Sequence, residues 1–209
     1  MQNNIQINKL ELLRYLGYNG QNINILMQEK IDKMTELCLK TIRPKNVYKT
    51  FELENMSLKG TNFTLQGESV KSHLKGCDRV ILMAATCGFD LDQQIAKMFL
   101  TDKTSALILD SAGSVAIESY LDNICSVFEN ATDRFSSGYG DFPLSANKNI
   151  SEILNAQRII GLNVNESFLL SPKKSVTAVI GLGRKIKQQP LCDHKCQICK
   201  FEKCLYTKN

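Results

Sequence analysis

The chain has 209 residues, of which 43% are hydrophobic and 22% charged, with a formal net charge of +5. That is long enough to bury a core without disulfides, and the balance is that of a folded globular chain rather than a disordered or fibrous one. No apolar run approaches the roughly 20 residues that span a bilayer, and residues 1–6 lack the basic-then-apolar layout of a secretory signal, so a cytoplasmic protein without membrane contact is expected.

Residues 7–16 read as a short helix stopped at Gly17. Asn22 is placed to cap a second helix, in which Ile23, Met27, Ile31, Met34 and Cys38 recur every three or four residues and mark one buried face. Arg43-Pro44 ends it, because the residue before proline is driven out of the helical region. Residues 47–53 read as a strand, 63–65 as a shorter one and 70–74 as a short helix. The run Val80-Ile81-Leu82-Met83-Ala84-Ala85 lacks helical spacing and precedes Thr86-Cys87-Gly88, so it reads as an inner strand ending in a turn.

Leu91, Ile95, Met98 and Phe99 predict the next helix, and residues 104–130 the longest one. Gly113 lies on its apolar stripe, which implies close approach by another element. Asp110, Ser114, Glu118 and Asp122 step by four along its opposite ridge. Asp110 and Asp122 read as solvated. Glu118, among small and apolar neighbours, is a candidate acceptor for a ligand ammonium or ribose hydroxyls. Residues 150–157 read as a helix, and 166–170 and 176–182 as strands around a turn at Ser171-Pro172. Strands and helices mix without regular βαβ alternation. An α+β fold is therefore expected, with a mixed sheet packed with helices.

Residues 134–144 (RFSSGYGDFPL) are the most informative stretch. They hold too much Gly and Ser for a helix or inner strand, yet carry three aromatics, a proline and Arg134. Glycine lets backbone approach a ligand closely, Tyr139 and Phe142 offer flat faces, and Arg134 offers a planar fork for a carboxylate. A small, flat, partly anionic ligand suits such a loop. A well-packed turn plugged by Tyr139 accounts for the same composition.

The spacing Arg134-x-Ser136-x-Gly138-Tyr139 resembles the Arg-x-x-x-Gly-Tyr loop of the activation domain of cobalamin-dependent methionine synthase. Residues 11–18 resemble the opening of its stand-alone members, 80–88 and 112–119 its central elements, and 165–167 and 175–181 its closing strands, so the likeness covers roughly 7–183. It implies a domain over 1–183 that binds S-adenosylmethionine and docks on a corrinoid-binding methionine synthase subunit. A reduced flavodoxin or similar donor then supplies an electron, and the methyl group restores inactive cob(II)alamin. Carried onto this sequence, Arg134 meets the ligand's carboxylate end, Ser136 and Gly138 make backbone contacts, Tyr139 is the adjoining aromatic, and Glu118 is the helix carboxylate. Ser136, Ser137, Gly140 and Asp141 stand where the large synthase has Pro and Ala, and its aromatic-rich closing segment is missing. No corrinoid module is legible. Lys71-x-His73 has a lysine where that module's aspartate would orient the histidine, so His73 reads as a helix-surface residue and the cobalamin as held by a partner chain.

Residues 184–209 form a basic appendage with seven Lys or Arg against two acidic residues. Cys192, Cys196, Cys199 and Cys204 fall within thirteen residues there, a thiolate set that suits zinc or an iron–sulfur cluster. His194 could replace one ligand. The quartet supports a different reading, an electron-transfer, redox or docking protein acting through this tail. Little aromatic interleaving accompanies the basic residues, so nucleic acid is not an expected partner.

Overall fold

The computed structural model describes residues 5–18 and 20–183. Among the described residues two compact units result, each assembled from separated stretches of chain: those within 5–45, 86–127 and 172–175 in one, and 46–85, 128–171 and 176–183 in the other.

The first unit is helical. Helix α1 (Lys9–Tyr15) begins at Asn8, whose side chain accepts from the N–H groups of Leu10 and Glu11. Helix α2 (Ile25–Thr41) begins at Asn24 rather than at Asn22, because Asn24 is the residue whose side chain reaches the N–H of Met27. Its buried residues are Ile31, Met34 and Cys38, the inner part of the expected stripe, whereas Ile25 and Leu26 are exposed. After α3 (Glu68–His73), which belongs to the second unit, come α4 (Phe89–Phe99) and α5 (Lys103–Cys125). Asp102 caps α5 and accepts from Lys30 at 2.9 Å and from the N–H and hydroxyl of Ser105, and these bonds, Lys30 first, hold its carboxyl well below the usual carboxylate range.

Helix α5 is shorter than the sequence suggests, ending at Cys125, and is buried over more than a stripe. Gly113 explains the close approach: a Cβ there would lie 2.7 Å from Cδ2 of Leu91 on α4 and 3.2 Å from Cγ of Lys174. The thiols of Cys38 and Cys87, both fully buried in this unit, are pushed up to about 12, chiefly by burial.

The second unit holds the sheet, apart from border residues. Strands β1 (Lys45–Glu54), β2 (Ser57–Leu58), β3 (Arg79–Thr86), β4 (Phe135–Ser136) and β7 (Ser175–Leu182) lie in the order β2-β1-β3-β7-β4. Strand β3 is central and buried from Val80 to Thr86, as an unbroken apolar run requires. The sheet is antiparallel rather than mixed. The end of β1 meets the start of β3 (Leu53 N–H to Asp78 O, 2.9 Å), the start of β3 meets the end of β7 (Asp78 N–H to Leu182 O, 3.1 Å), and β2 and β4 pair antiparallel with β1 and β7. Without βαβ crossovers, nothing brings neighbouring strands into the same direction.

Three short elements depart from the sequence reading. Residues 63–65 form no strand of their own. Thr64 makes one bridge to Ser57, while Phe63 and Leu65 point into the core. Residues 166–170 are mostly the bend of a small hairpin between β5 (Asn163–Val164) and β6 (Leu170–Ser171), with Asn165 Oδ1 accepting the N–H of Leu169. The helix expected at 150–157 is two, α6 (Ala146–Leu154) and α7 (Ala156–Ile160), broken at Asn155 in the left-handed region. The core of this unit joins Phe51, Leu58, Val80, Leu82, Phe135, Phe142, Ile150 and Val179.

Candidate functional site

The Gly/Ser loop starts as an edge strand. Phe135 and Ser136 pair with Val179 and Ala178 of β7, and the chain then turns back on itself. Tyr139 N–H donates to Ser136 O (3.2 Å), Phe142 N–H to Tyr139 O (2.9 Å) and Gly138 N–H to Phe142 O (2.9 Å). Gly138 and Gly140 have φ of +89° and +55°, which this double turn requires. The Gly138 N–H is engaged within the loop, so a bond from this residue to a ligand falls to its carbonyl oxygen.

The aromatic residues of the loop divide by role. Phe142 is 1% exposed and packs 6.1 Å from the ring of Phe135, so it is a core residue and presents no face to a ligand. Tyr139 is 54% exposed, with its ring 6.2 Å from that of Phe135. It therefore offers the flat surface that the sequence assigned to both. Arg134 and Ser136 are half-buried beside it.

Both shoulders of the loop are held by helix α3 (Glu68–His73). Asp141 Oδ2 accepts the N–H of Glu68 at 2.6 Å and Oδ1 that of Ser69 at 2.9 Å. Those two backbone donors, Ser69 first, keep its carboxyl below the usual carboxylate range. At the other end of α3, His73 Nε2 lies 2.8 Å from Asp133 O, and its ring stacks 4.9 Å from that of Phe135. His73 is thus half-buried at this seam rather than free on the helix surface. Burial lowers its pKa against the opposing pull of the Asp133 carbonyl and carboxylate.

A buried polar chain braces the loop from beneath. Ser137 Oγ lies 3.3 Å from Thr177 Oγ1, which donates to Asn147 Oδ1 at 2.5 Å, while Asn147 Nδ2 donates to Phe168 O at 2.8 Å. Phe168 has φ +61°, a strained value for an aromatic residue, and the Asn147 bond is one of those that hold it.

A groove of about 290 Å³ lies in the same unit, lined by Asn62, Phe63, Thr64, Gln66, Pro143, Ser145, Ala146 and Asn149. Only Pro143 comes from the loop, and no charged side chain lines it. These residues gave no sequence signal, since scattered amides and hydroxyls look like any surface.

The expected site residues are distributed between the units. Arg134, Ser136, Gly138 and Tyr139 share one loop of the second unit, whereas Glu118, half-buried on α5, belongs to the first. Cys192, Cys196, Cys199 and Cys204 lie outside the described residues. Among the described residues, no group of three or more His, Cys, Asp or Glu could hold a metal ion, and no helix is long and apolar enough to cross a membrane.

No protein-family model matches the sequence, and no curated protein matches it significantly. The fold, by contrast, is similar to a solved one. A crystal structure of the MetH reactivation domain bound to AdoHcy superposes with a TM-score of 0.60 over 84% of this chain and 73% of that one, at 13% sequence identity. The chain therefore has the reactivation-domain fold that the sequence resemblance implied.

Proposed function

We propose that the chain binds S-adenosylmethionine through the 134–144 loop and serves as a stand-alone reactivation subunit for a cobalamin-dependent methionine synthase. The observation that carries this reading is the Arg134–Tyr139 turn, half-buried at Arg134 and exposed at Gly138 and Tyr139, set in a fold whose solved counterpart was crystallised with AdoHcy. The donor set fits the ligand. The Arg134 guanidinium suits a carboxylate, the Gly138 carbonyl suits an ammonium or ribose hydroxyl, and Tyr139 supplies an aromatic face.

When bound, S-adenosylmethionine supplies the methyl group that, with one electron from a reduced flavodoxin-type donor, returns cob(II)alamin on a partner chain to its methylated form. The part of this chain is to bind and orient. Gly138 and Gly140 keep the turn narrow, so that a ligand can lie against backbone, and Phe142 anchors the turn in the core.

Isothermal titration of the full chain with S-adenosylmethionine tests the proposal. Binding is expected to weaken about tenfold or more in Arg134→Ala, the loss of a charge-assisted bond. Absence of binding, alone and with a corrinoid-binding methionine synthase subunit present, overturns the reading.

A further inference from the structure

We infer that helix α3 is a clamp that sets the spacing of the ligand loop, with Asp141 and His73 as its positioning residues; this rests on the loop being the binding element. Residues 133 and 141 bracket Arg134, Ser136, Gly138 and Tyr139, and each bracket is tied to an opposite end of one six-residue helix. Such a helix is about 9 Å long, so the two shoulders are kept at a fixed separation.

The seam is built for this contact. The residue before α3, Gly67, gives the helix no side-chain cap, and Asp141 supplies one from 72 and 73 positions away. Gly67 has φ +118°, and a Cβ there would lie 2.7 Å from Asp141 Oδ1. A Cβ on Gly140 would lie 2.5 Å from Ser69 Oγ. Glycine on both sides lets the two backbones close until the carboxylate reaches two N–H groups. At the far end, His73 adds a ring stack on Phe135, the residue between Arg134 and Ser136. The site residues therefore owe their arrangement to a helix that contributes no ligand contact in the proposed site, and the loop is presented ready-formed rather than ordered by its ligand.

The test pairs Asp141→Ala with Asp141→Asn in the full chain, since asparagine keeps one of the two acceptor oxygens that meet the N–H groups of Glu68 and Ser69 and alanine keeps neither. Amide hydrogen exchange is read first, without ligand. Exchange at Gly138 and Tyr139 should rise roughly fivefold to tenfold in Asp141→Ala and by a smaller factor in Asp141→Asn. Affinity for S-adenosylmethionine should fall by a similar factor in the alanine variant and by less in the asparagine variant. His73→Ala should loosen the same amides. Unchanged loop exchange in both Asp141→Ala and His73→Ala overturns the clamp, as does wild-type affinity in an alanine variant whose loop has loosened. A wild-type chain that binds no S-adenosylmethionine overturns the functional reading instead, and the exchange data then decide the clamp alone.

Discussion

Lys174 Nζ lies 2.9 Å from Asp110 Oδ1, and also 2.9 Å from Ser114 Oγ, with the lysine side chain only 13% exposed. Two steps of the polar ridge on α5, which the sequence offers to solvent, thus hold a cation that has been drawn largely out of water. The lysine stem passes beside Gly113, where a side chain would obstruct it.

Asp110→Ala should destabilise the protein by about 1–2 kcal/mol. This is less than a fully buried pair would lose, because the aspartate is 41% exposed and partly screened. Lys174→Met keeps the stem packing and should cost less than the aspartate change. Urea unfolding midpoints check both, and an Asp110→Ala midpoint at the wild-type value would show that the pair carries no stability.

The Asn147–Thr177 bond is a second buried polar contact with a measurable consequence. Thr177→Val removes the donor and strands a buried amide oxygen, at a cost of about 1–3 kcal/mol. Combined with Asn147→Leu, the losses should be less than additive by about 1 kcal/mol, because the two side chains share one interaction. Simple additivity in a double-mutant cycle would mean that they act independently.

His73 makes stability depend on pH in the mildly acid range. Its folded pKa is lowered by burial, so the unfolded chain takes up the proton more readily below about pH 6.5. Stability is fully present above that value and declines as pH falls towards the folded pKa. Denaturant unfolding at pH 7.5 and 5.5 should show a drop in the wild type that is reduced in His73→Gln. An equal drop in both would assign the effect to other groups. The sequence contains only two histidines, so proton NMR of the imidazole resonances can follow the titration directly.

The cysteine quartet predicts a bound metal. Anaerobically purified full-length chain should carry about one zinc ion or one iron–sulfur cluster, and Cys199→Ser should lose it. Brown colour with visible absorption selects the cluster and a colourless, zinc-positive sample the structural ion. A wild-type chain without metal removes both.

Much of the architecture was legible because it follows from local pattern. The apolar run at 80–85 reads as an inner strand and forms one, and the stripes on α2 and α5 announced their buried faces. What escaped was set by partners distant in sequence. Asp141 looked like one more polar loop residue, and its role appears only with α3 beside it. Phe142 and Tyr139 are equivalent by composition, yet one fills the core and the other faces solvent. His73 seemed to be on the surface because Phe135, which covers its ring, lies 62 positions further along the chain. The helix break at Asn155 had no glycine or proline to announce it.

The two interior thiols of the helical unit have a practical consequence. With the thiols of Cys38 and Cys87 pushed up to about 12 by burial, almost none of either is ionised at neutral pH, and the thiolate is the species that reacts with alkylating reagents. A maleimide added to the native chain should leave both unmodified. Their slow labelling then becomes a clock for the opening of the helical unit, readable by mass without any engineered probe.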